Sequence, residues 1–237
     1  MRIAELYASL QGEGMLAGTP SAFVRTSGCN LRCTWCDTPF TSWQPEGVDR
    51  PVAEILAAVR ATGARHAVVT GGEPLLFRET VDLCAALRAE GVHVTVETAG
   101  TVLPPGFAAP LADLVSISPK LASSGPPADT PGGWAGRHEA ARRRDDVIRA
   151  LAAPGRHQLK FVIDSPRDLA EAAAWVDDLA AARPGGVDRA RVFLMPQGRS
   201  GEELASIGRW LPDACRRLGF RLAHRHHIGW FGHTRGT

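Results

Sequence analysis

Apolar and polar positions along the chain change period repeatedly, from the alternation of a strand to the three-to-four spacing of a helix and back. "SAFVRTS" (21–27) reads as a strand, and "PVAEILAAVRATG" (51–63) as a helix with Pro51 at its start and Gly63 at its end. "HAVVTGG" (66–72) is a strand running into a glycine turn, and a helix follows from Arg78 to Glu90. "VHVTVETAG" (92–100) and "LADLVSISPK" (111–120) are two more strands, separated by "TVLPPGFAAP" (101–110) without a clear helix. "HEAARRRDDVIRALAAPG" (138–155) is helical and "HQLKFVID" (157–164) is a strand. "SPRDLAEAAAWVDDLAAAR" (165–183) is a helix with Ser165 as N-cap and Pro166 at its first position. The last strands, "ARVFLMP" (190–196) and "FRLAHR" (220–225), flank a helix through "EELASIGRWLPDACRRLG" (202–219).

Strands alternating with helices predict a parallel sheet joined by right-handed crossovers. Seven strands and five helices fall short of the eight repeats of a closed barrel. The expected fold is therefore α/β, a partial, open (β/α) barrel. A doubly wound sheet would carry a glycine fingerprint after its first strand, and none stands there. "SSGPPADTPGGWAG" (123–136) is the main loop of biased composition, either a lid or a plain surface loop. No internal repeat and no linker divides the chain, so residues 1–237 are expected to form a single domain.

Composition narrows the class. The 237 residues, 44% apolar, suffice for one well-buried α/β core, and no apolar run is long enough to cross a bilayer. "MRIAELYASLQGEG" lacks the features of a signal peptide, which predicts a soluble, cytoplasmic protein without a membrane partner. A formal charge of +2 argues for no polyanionic partner. Arg142 to Arg144, followed by Asp145 and Asp146, read as a solvated helix face rather than a nucleic-acid patch. Of five cysteines, Cys84 and Cys215 fall in helical patterns as small buried hydrophobes.

The other three stand within "SGCNLRCTWCDTPF" (27–40), as Cys29, Cys33 and Cys36. Thiolates so close in sequence suit a soft metal or an iron–sulfur cluster. A [4Fe–4S] cluster takes four cysteines, so three leave one iron open for a small chelating molecule. The alternative is a zinc-stabilised binding module completed by a histidine of "HRHHIGWFGH" (224–233).

Other segments carry chemistry too. The glycines of "TGGEP" (70–74) can expose backbone groups to a polar ligand or make a plain tight turn. Glu97 ends a strand, where a carboxylate meets ribose hydroxyls or a surface cation. Gln11 and Glu13 of "LQGEG" (10–14) offer groups suited to a flat heterocycle rich in donors and acceptors. Arg25, among apolar neighbours, needs an anion: a substrate carboxylate or an internal salt bridge.

Cys-x₃-Cys-x₂-Cys with Trp35 before the last cysteine resembles the cluster motif of the radical S-adenosylmethionine superfamily. With it, "LQGEG", "FVRTSGCNLRCTWCDTPF" (23–40), "TGGEPLL" (70–76), "VETAGT" (96–101), "SISPK" (116–120) and the final "RGT" resemble the 7-carboxy-7-deazaguanine synthase family. The resemblance implies ring contraction of 6-carboxy-5,6,7,8-tetrahydropterin to 7-carboxy-7-deazaguanine, with loss of ammonia. It implies a [4Fe–4S] cluster on Cys29, Cys33 and Cys36, S-adenosylmethionine, and Mg²⁺ on Thr38. It also implies an electron donor such as flavodoxin or ferredoxin, and a homodimer. As cofactor contacts it points to Trp35, Asp37, Gly71, Gly72, Glu73, Glu97, Ser118, Pro119, Lys120, Met195, Pro196, Gln197 and Gly198. As substrate contacts it points to Leu10, Gln11, Gly12, Glu13, Arg25, Thr70, His227 and Thr237, with the C-terminal tail closing over the substrate. An activase that places a glycyl radical on a partner protein is the alternative within the superfamily; "LQGEG", Arg25 and Thr38 argue against it.

Overall fold

The computed structural model of the protein describes all residues except 154 and 183–185. Among the described residues nine strands form one sheet: β1 (Arg2–Leu10), β2 (Pro20–Thr26), β3 (Val48–Asp49), β4 (His66–Gly71), β5 (His93–Thr98), β6 (Leu114–Ile117), β7 (His157–Ile163), β8 (Val192–Pro196) and β9 (Arg221–Leu222). Their order is β3-β1-β2-β4-β5-β6-β7-β8-β9. From β2 to β9 every neighbouring pair is parallel, while β1 lies antiparallel to both β2 and β3. The two ends of the sheet do not pair, so this is the open, partial barrel that the alternation predicts.

The helices are α1 (Pro39–Ser42), α2 (Val52–Ala61), α3 (Glu79–Ala89), α4 (Trp134–Arg142), α5 (Asp145–Ala152), α6 (Pro166–Ala181), α7 (Gly201–Gly208), α8 (Leu211–Leu218) and α9 (His226–Phe231). Ile55, Leu83, Leu87, Ile148, Leu151, Trp175 and Leu179 bury their side chains in the same core as Val24, Val69, Val96, Ile117, Phe161 and Leu194 of the strands. Each fully buried side chain of this size contributes roughly 1.5–3 kcal/mol of hydrophobic stabilisation. Trp175 is completely buried and donates its Nε1–H to Asp145 Oδ1 at 2.7 Å, which ties α6 to the start of α5.

Strand side chains alternate between faces. Once Val24, Val69, Val96 and Phe161 face the helices, Arg25, Thr70, Glu97 and Lys160 must face the other way. The parallel register sets Arg25 beside Thr70 and Glu97 beside Ser116. A polar row thus runs across the concave side of an apolar sheet.

Several expectations are corrected. "RIAELYASL" is strand β1, although it was not predicted; its alternation of Leu6, Ala8 and Leu10 with Tyr7 and Ser9 is the signal that marks it. The helix expected over 138–155 is two, because Arg143 and Arg144 adopt non-helical backbone angles. Their guanidiniums bind Asp145 and Asp178, and Asp146, while Asp145 and Asp146 occupy the first turn of α5, where the helix dipole favours acids. The helix expected over 202–219 also divides, since Pro212 stands in the first turn of α8 and cannot continue a helix arriving from α7. The tail carries α9, a helix that the sequence pattern does not predict. Ser165 and Asp168 form the predicted cap of α6 as a reciprocal capping box. The predicted end of that helix, Arg183, lies outside the described residues. Among the described residues no helix is long and apolar enough to cross a membrane.

Candidate active site

The concave side of the sheet, at the C-terminal ends of the parallel strands, opens into a cavity of about 470 Å³. The cysteine loop between β2 and α1 forms one wall. Leu31 is buried against Cys29, Cys33, Trp35, Cys36 and Ala99, which holds the three cysteines in one cluster of side chains. Inside the loop, Leu31 N–H donates to Cys29 Sγ at 3.4 Å and Cys36 N–H donates to Cys33 O at 3.2 Å. The Ser42 hydroxyl lies 3.3 Å from Cys36 Sγ, and Thr38 Oγ1 lies 3.9 Å from it.

Burial pushes the Cys29 thiol up to about 12 and the Cys33 thiol to about 11. Thiolates at these positions need a positive charge to hold them, and iron supplies it. Among the described residues no group of three His, Cys, Asp or Glu side chains could hold a single metal ion. Nor do the tail histidines complete a zinc site: His227, the one in reach of an acid, faces Glu13, with Nε2 3.9 Å from Oε1. A donor set of three clustered sulfurs beside a cavity, Cys33 buried and Cys29 and Cys36 partly so, fits an iron–sulfur cluster with one iron left for another ligand. Trp35 Nε1 is buried in the same wall with no protein acceptor among the described residues, as suits a site built to meet a bound molecule.

Of its two readings, the glycine turn after β4 takes the tight turn for the Gly72 and Glu73 amides, which bond protein carbonyls. Gly72 N–H donates to Thr26 O at 3.1 Å and Glu73 N–H to Gly28 O at 2.9 Å. Gly71 has φ of +138°, and a Cβ there would collide with the Thr26 carbonyl oxygen. A Cβ on Gly72 would strike the Gly28 carbonyl. The glycines therefore let the turn dock backbone-to-backbone on the start of the cysteine loop. Glu73 is wholly buried and does not line the cavity. It accepts from Thr98 Oγ1 at 2.8 Å, Ala99 N at 2.9 Å and Leu75 N at 3.1 Å, binding the end of β5 to this turn. Burial pushes its carboxyl above the usual range against those three donors.

The "LQGEG" segment follows β1 and crosses the mouth of the cavity. Gln11 Nε2 donates to Glu97 Oε1 at 3.1 Å, its Oε1 accepts from Glu13 N at 3.1 Å, and Glu97 Oε2 accepts from Thr70 Oγ1 at 3.0 Å. Arg25 takes the internal partner: its Nε donates to Glu5 Oε2 and its Nη2 to Tyr7 Oη, both at 2.8 Å. Glu13 is bonded by Lys160 Nζ and, at 3.1 Å, by Arg225 Nε. Burial acts to raise the Glu13 carboxyl, but the charges of Lys160, Arg225 and His227 hold it well below the usual carboxylate range. Arg225 also bonds Asp37 and donates from Nη1 to Gly198 O at 2.6 Å. One guanidinium therefore ties the "LQGEG" segment, the cysteine loop and the end of β8 together.

The tail completes the mouth. His226 N–H donates to Gly12 O at 3.0 Å, and the His227 imidazole packs where a Cβ of Gly12 would be. Arg235 bonds Glu5 at 2.7 Å and Glu46 at 3.0 Å and stacks 3.8 Å from the centre of the Phe40 ring. His233 to Thr237 all border the cavity.

The cavity wall brings together Cys29, Cys33, Cys36, Thr38, Trp35, Asp37, Gly71, Gly72, Glu97, Ser118, Lys120, Met195 and Gln197. Leu10, Gln11, Gly12, Glu13, Arg25, Thr70, His227 and Thr237 line it as well. Four expected contacts do not: Glu73, Pro119, Pro196 and Gly198. Lys120 turns its Nζ to Ser118, donating to O and Oγ at 2.9 Å. The loop 123–136 contributes nothing to the wall. Ser124 bonds His138 Nε2 at 2.9 Å and accepts Thr34 N–H at 2.9 Å, so this loop braces the cysteine loop from behind.

Sequence reasoning missed Lys160, Arg225 and Tyr7. Lys160 had a legible signal, as a charge between Leu159 and Phe161 in a strand otherwise fit for a core. Arg225 had none, because its partners lie up to 212 positions away.

An open parallel sheet whose strand ends carry three clustered cysteines and a glycine turn defines a radical S-adenosylmethionine enzyme. The model of the Radical SAM superfamily matches residues 23–126. The chain belongs to the 7-carboxy-7-deazaguanine synthase family. It is 43% identical over 236 residues to the 7-carboxy-7-deazaguanine synthase of Rhodopirellula baltica, covering 99% of this chain and 88% of that one. It is 45% identical to that of Halobacterium salinarum, covering 95% and 88%. Among solved structures, QueE from Escherichia coli matches with a TM-score of 0.66 at 25% identity, covering 95% of this chain and 94% of that one. Streptococcus suis SuiB bound to S-adenosylmethionine shares the fold, with a TM-score of 0.51 at 12% identity, covering 83% and 44%.

Proposed function

We propose that the cavity contracts 6-carboxy-5,6,7,8-tetrahydropterin to 7-carboxy-7-deazaguanine with release of ammonia, as a radical S-adenosylmethionine lyase of 7-deazapurine biosynthesis. The observation that carries this reading is that the cysteine loop, the glycine turn and the "LQGEG" segment, far apart in sequence, wall a single cavity. When bound, the cluster and S-adenosylmethionine supply a 5′-deoxyadenosyl radical able to take a hydrogen atom from carbon.

In this reading Cys29, Cys33 and Cys36 hold the cluster, and Trp35, Gly71, Gly72, Glu97, Ser118, Lys120, Met195 and Gln197 hold S-adenosylmethionine. Gln11 and Glu13 face the heterocycle, with Leu10, Gly12 and Thr70 beside them. Glu97 and Thr70 are already hydrogen-bonded to each other, so the two sites share a wall and the reacting carbon is held close to the cofactor. Arg25 is half-way to a carboxylate clamp: Glu5 and Tyr7 fix its Nε and Nη2, which leaves Nη1 for the substrate carboxylate. Thr38 lines the cavity with one hydroxyl, enough for Mg²⁺, which keeps much of its water. His227, Thr237 and the tail close over the substrate and exclude water, making residues 1–237 one functional domain. An electron donor, a homodimer and a cytoplasmic setting complete the proposal.

Anaerobic reconstitution with iron and sulfide, followed by S-adenosylmethionine, reductant, Mg²⁺ and the pterin, tests it. The expected mass spectrum shows 7-carboxy-7-deazaguanine formed without matching consumption of S-adenosylmethionine. A cleaved cofactor with no deazaguanine would refute the substrate while leaving the superfamily intact.

A further inference from the structure

Tyr7 is the sole tyrosine of the chain, and it stands in the cavity wall beside Arg25. The antiparallel pairing of β1 with β2 sets Tyr7 opposite Phe23 and Glu5 opposite Arg25, so the four side chains share one face of the sheet. The Tyr7 ring lies 5.1 Å from that of Phe23 and within 6° of parallel, which holds its C–O bond in one direction.

The hydrogen bonds of this group leave two donors over. Arg25 gives its Nε–H to Glu5 and an Nη2–H to Tyr7 Oη, and its Nη1 meets no acceptor among the described residues. Tyr7 Oη accepts that bond, yet a phenol also has a proton of its own to give, and among the described residues nothing receives it. The acids nearby are engaged at both oxygens. Glu97 accepts from Gln11 and Thr70, and Glu5 accepts from Arg25 and Arg235. Burial raises the phenol above its ordinary value, against the lowering effect of Arg25, so it remains an O–H donor in neutral solution.

An Arg25 Nη1–H and the Tyr7 O–H thus stand side by side, on groups joined by a 2.8 Å bond. A carboxylate offers two charged acceptor oxygens, one for each, and bonds to a charged oxygen are the stronger kind. A neutral amide offers one uncharged oxygen, and its NH₂ meets a second donor with nothing to accept.

We propose that Tyr7 binds the carboxylate of the heterocyclic substrate, its O–H donating to one oxygen while Arg25 Nη1 donates to the other, and so selects the acid over its neutral amide. The proposal rests on reading the cavity as the site of a carboxylated pterin.

The test uses the reconstituted holoenzyme with S-adenosylmethionine and no reductant. Its probes are fully oxidised pterin-6-carboxylate and the corresponding 6-carboxamide. Calorimetry gives both Kd values for the unmodified protein and for Tyr7→Phe, which keeps the stack on Phe23. The substitution is expected to weaken the carboxylate about tenfold and the carboxamide by about twofold at most.

Because Tyr7 also props Arg25, a second readout separates contact from support. With carbon-13 at the phenolic carbon of tyrosine, the isotope-edited infrared spectrum contains one labelled C–O stretch, that of Tyr7. The band should move to higher wavenumber on binding the carboxylate, as the phenol proton passes to a charged acceptor, and move less with the carboxamide. A band that the two probes leave alike, or a carboxylate Kd unchanged in Tyr7→Phe, overturns the proposal and leaves the pterin reading standing. Should Tyr7→Phe fail to fold, the band of the unmodified protein decides the matter. If the unmodified protein binds neither probe, the pterin reading falls and takes the proposal with it.

Discussion

Glu13 and Arg225 stand 212 positions apart, and their side chains meet at 3.1 Å beneath the mouth of the cavity. The same guanidinium reaches Asp37, next to Cys36, and the carbonyl of Gly198. The segment across the mouth of the cavity and the cysteine loop are thereby held to one rigid group.

Arg225→Ala leaves Glu13 and Asp37 without that partner, with Lys160 as the remaining cation on Glu13. Removing one member of a buried ion pair costs about 3–5 kcal/mol. Because Lys160 remains on Glu13 and Asp37 is exposed, the expected loss in denaturant unfolding falls below that range, together with a raised KM for the pterin. Arg225→Lys, which keeps charge but spans fewer acceptors, recovers part of the stability.

Gly72→Ala drives a methyl group into the Gly28 carbonyl, backbone against backbone, with no flexible neighbour to yield. The cysteine loop must shift, and iron content after reconstitution is expected to fall by more than half. Gly12→Ala meets only the His227 side chain. It should leave iron content unchanged and raise KM for the pterin by displacing the tail.

Arg235 is exposed, so solvent screens its bonds to Glu5 and Glu46 and they add little to stability. Arg235→Ala is expected to leave the melting temperature nearly unchanged. Limited proteolysis should cut the tail beyond α9 faster, and added substrate should slow that cut less than in the unmodified protein.

His66 is buried between the Ser21 hydroxyl at 2.7 Å and the Thr95 hydroxyl at 2.8 Å, with His93 packed edge-on to it. Burial first, and His93 second, lower its imidazole to about 4. The unfolded chain, with an ordinary value of 6.5, binds this proton where the folded chain does not. Stability is therefore full above pH 6.5 and declines as pH falls from 6.5 towards 4. Denaturant midpoints at neutral pH and near pH 5 check this; in His66→Gln the decline between them should be shallower.

Much of the site was legible because its chemistry is local. Cys29, Cys33 and Cys36 lie in one short loop, and no long-range contact is needed to see three sulfurs without a fourth. The strand periodicity of "SAFVRTS", "HAVVTGG" and "HQLKFVID" likewise fixes which residues share a face, and the alternation of seven strands with five helices gives the open barrel. Helix breaks were less legible. Arg143 and Arg144 are good helix formers, and only pairing with Asp145, Asp146 and Asp178 leaves them outside a helix.

The sequence by itself determined the fold class, the three-cysteine loop and most of the residues on the cavity wall, since period and spacing are properties of neighbours along the chain. Tertiary structure alone decided how those residues are used. Glu73 became a buried brace, the glycines became points of close backbone approach, and Arg25 took an internal acid. Lys160 and Arg225 came to hold Glu13. Each outcome depends on which oxygen or amide lies within about 3 Å once distant strands are in register, and burial makes that partner obligatory.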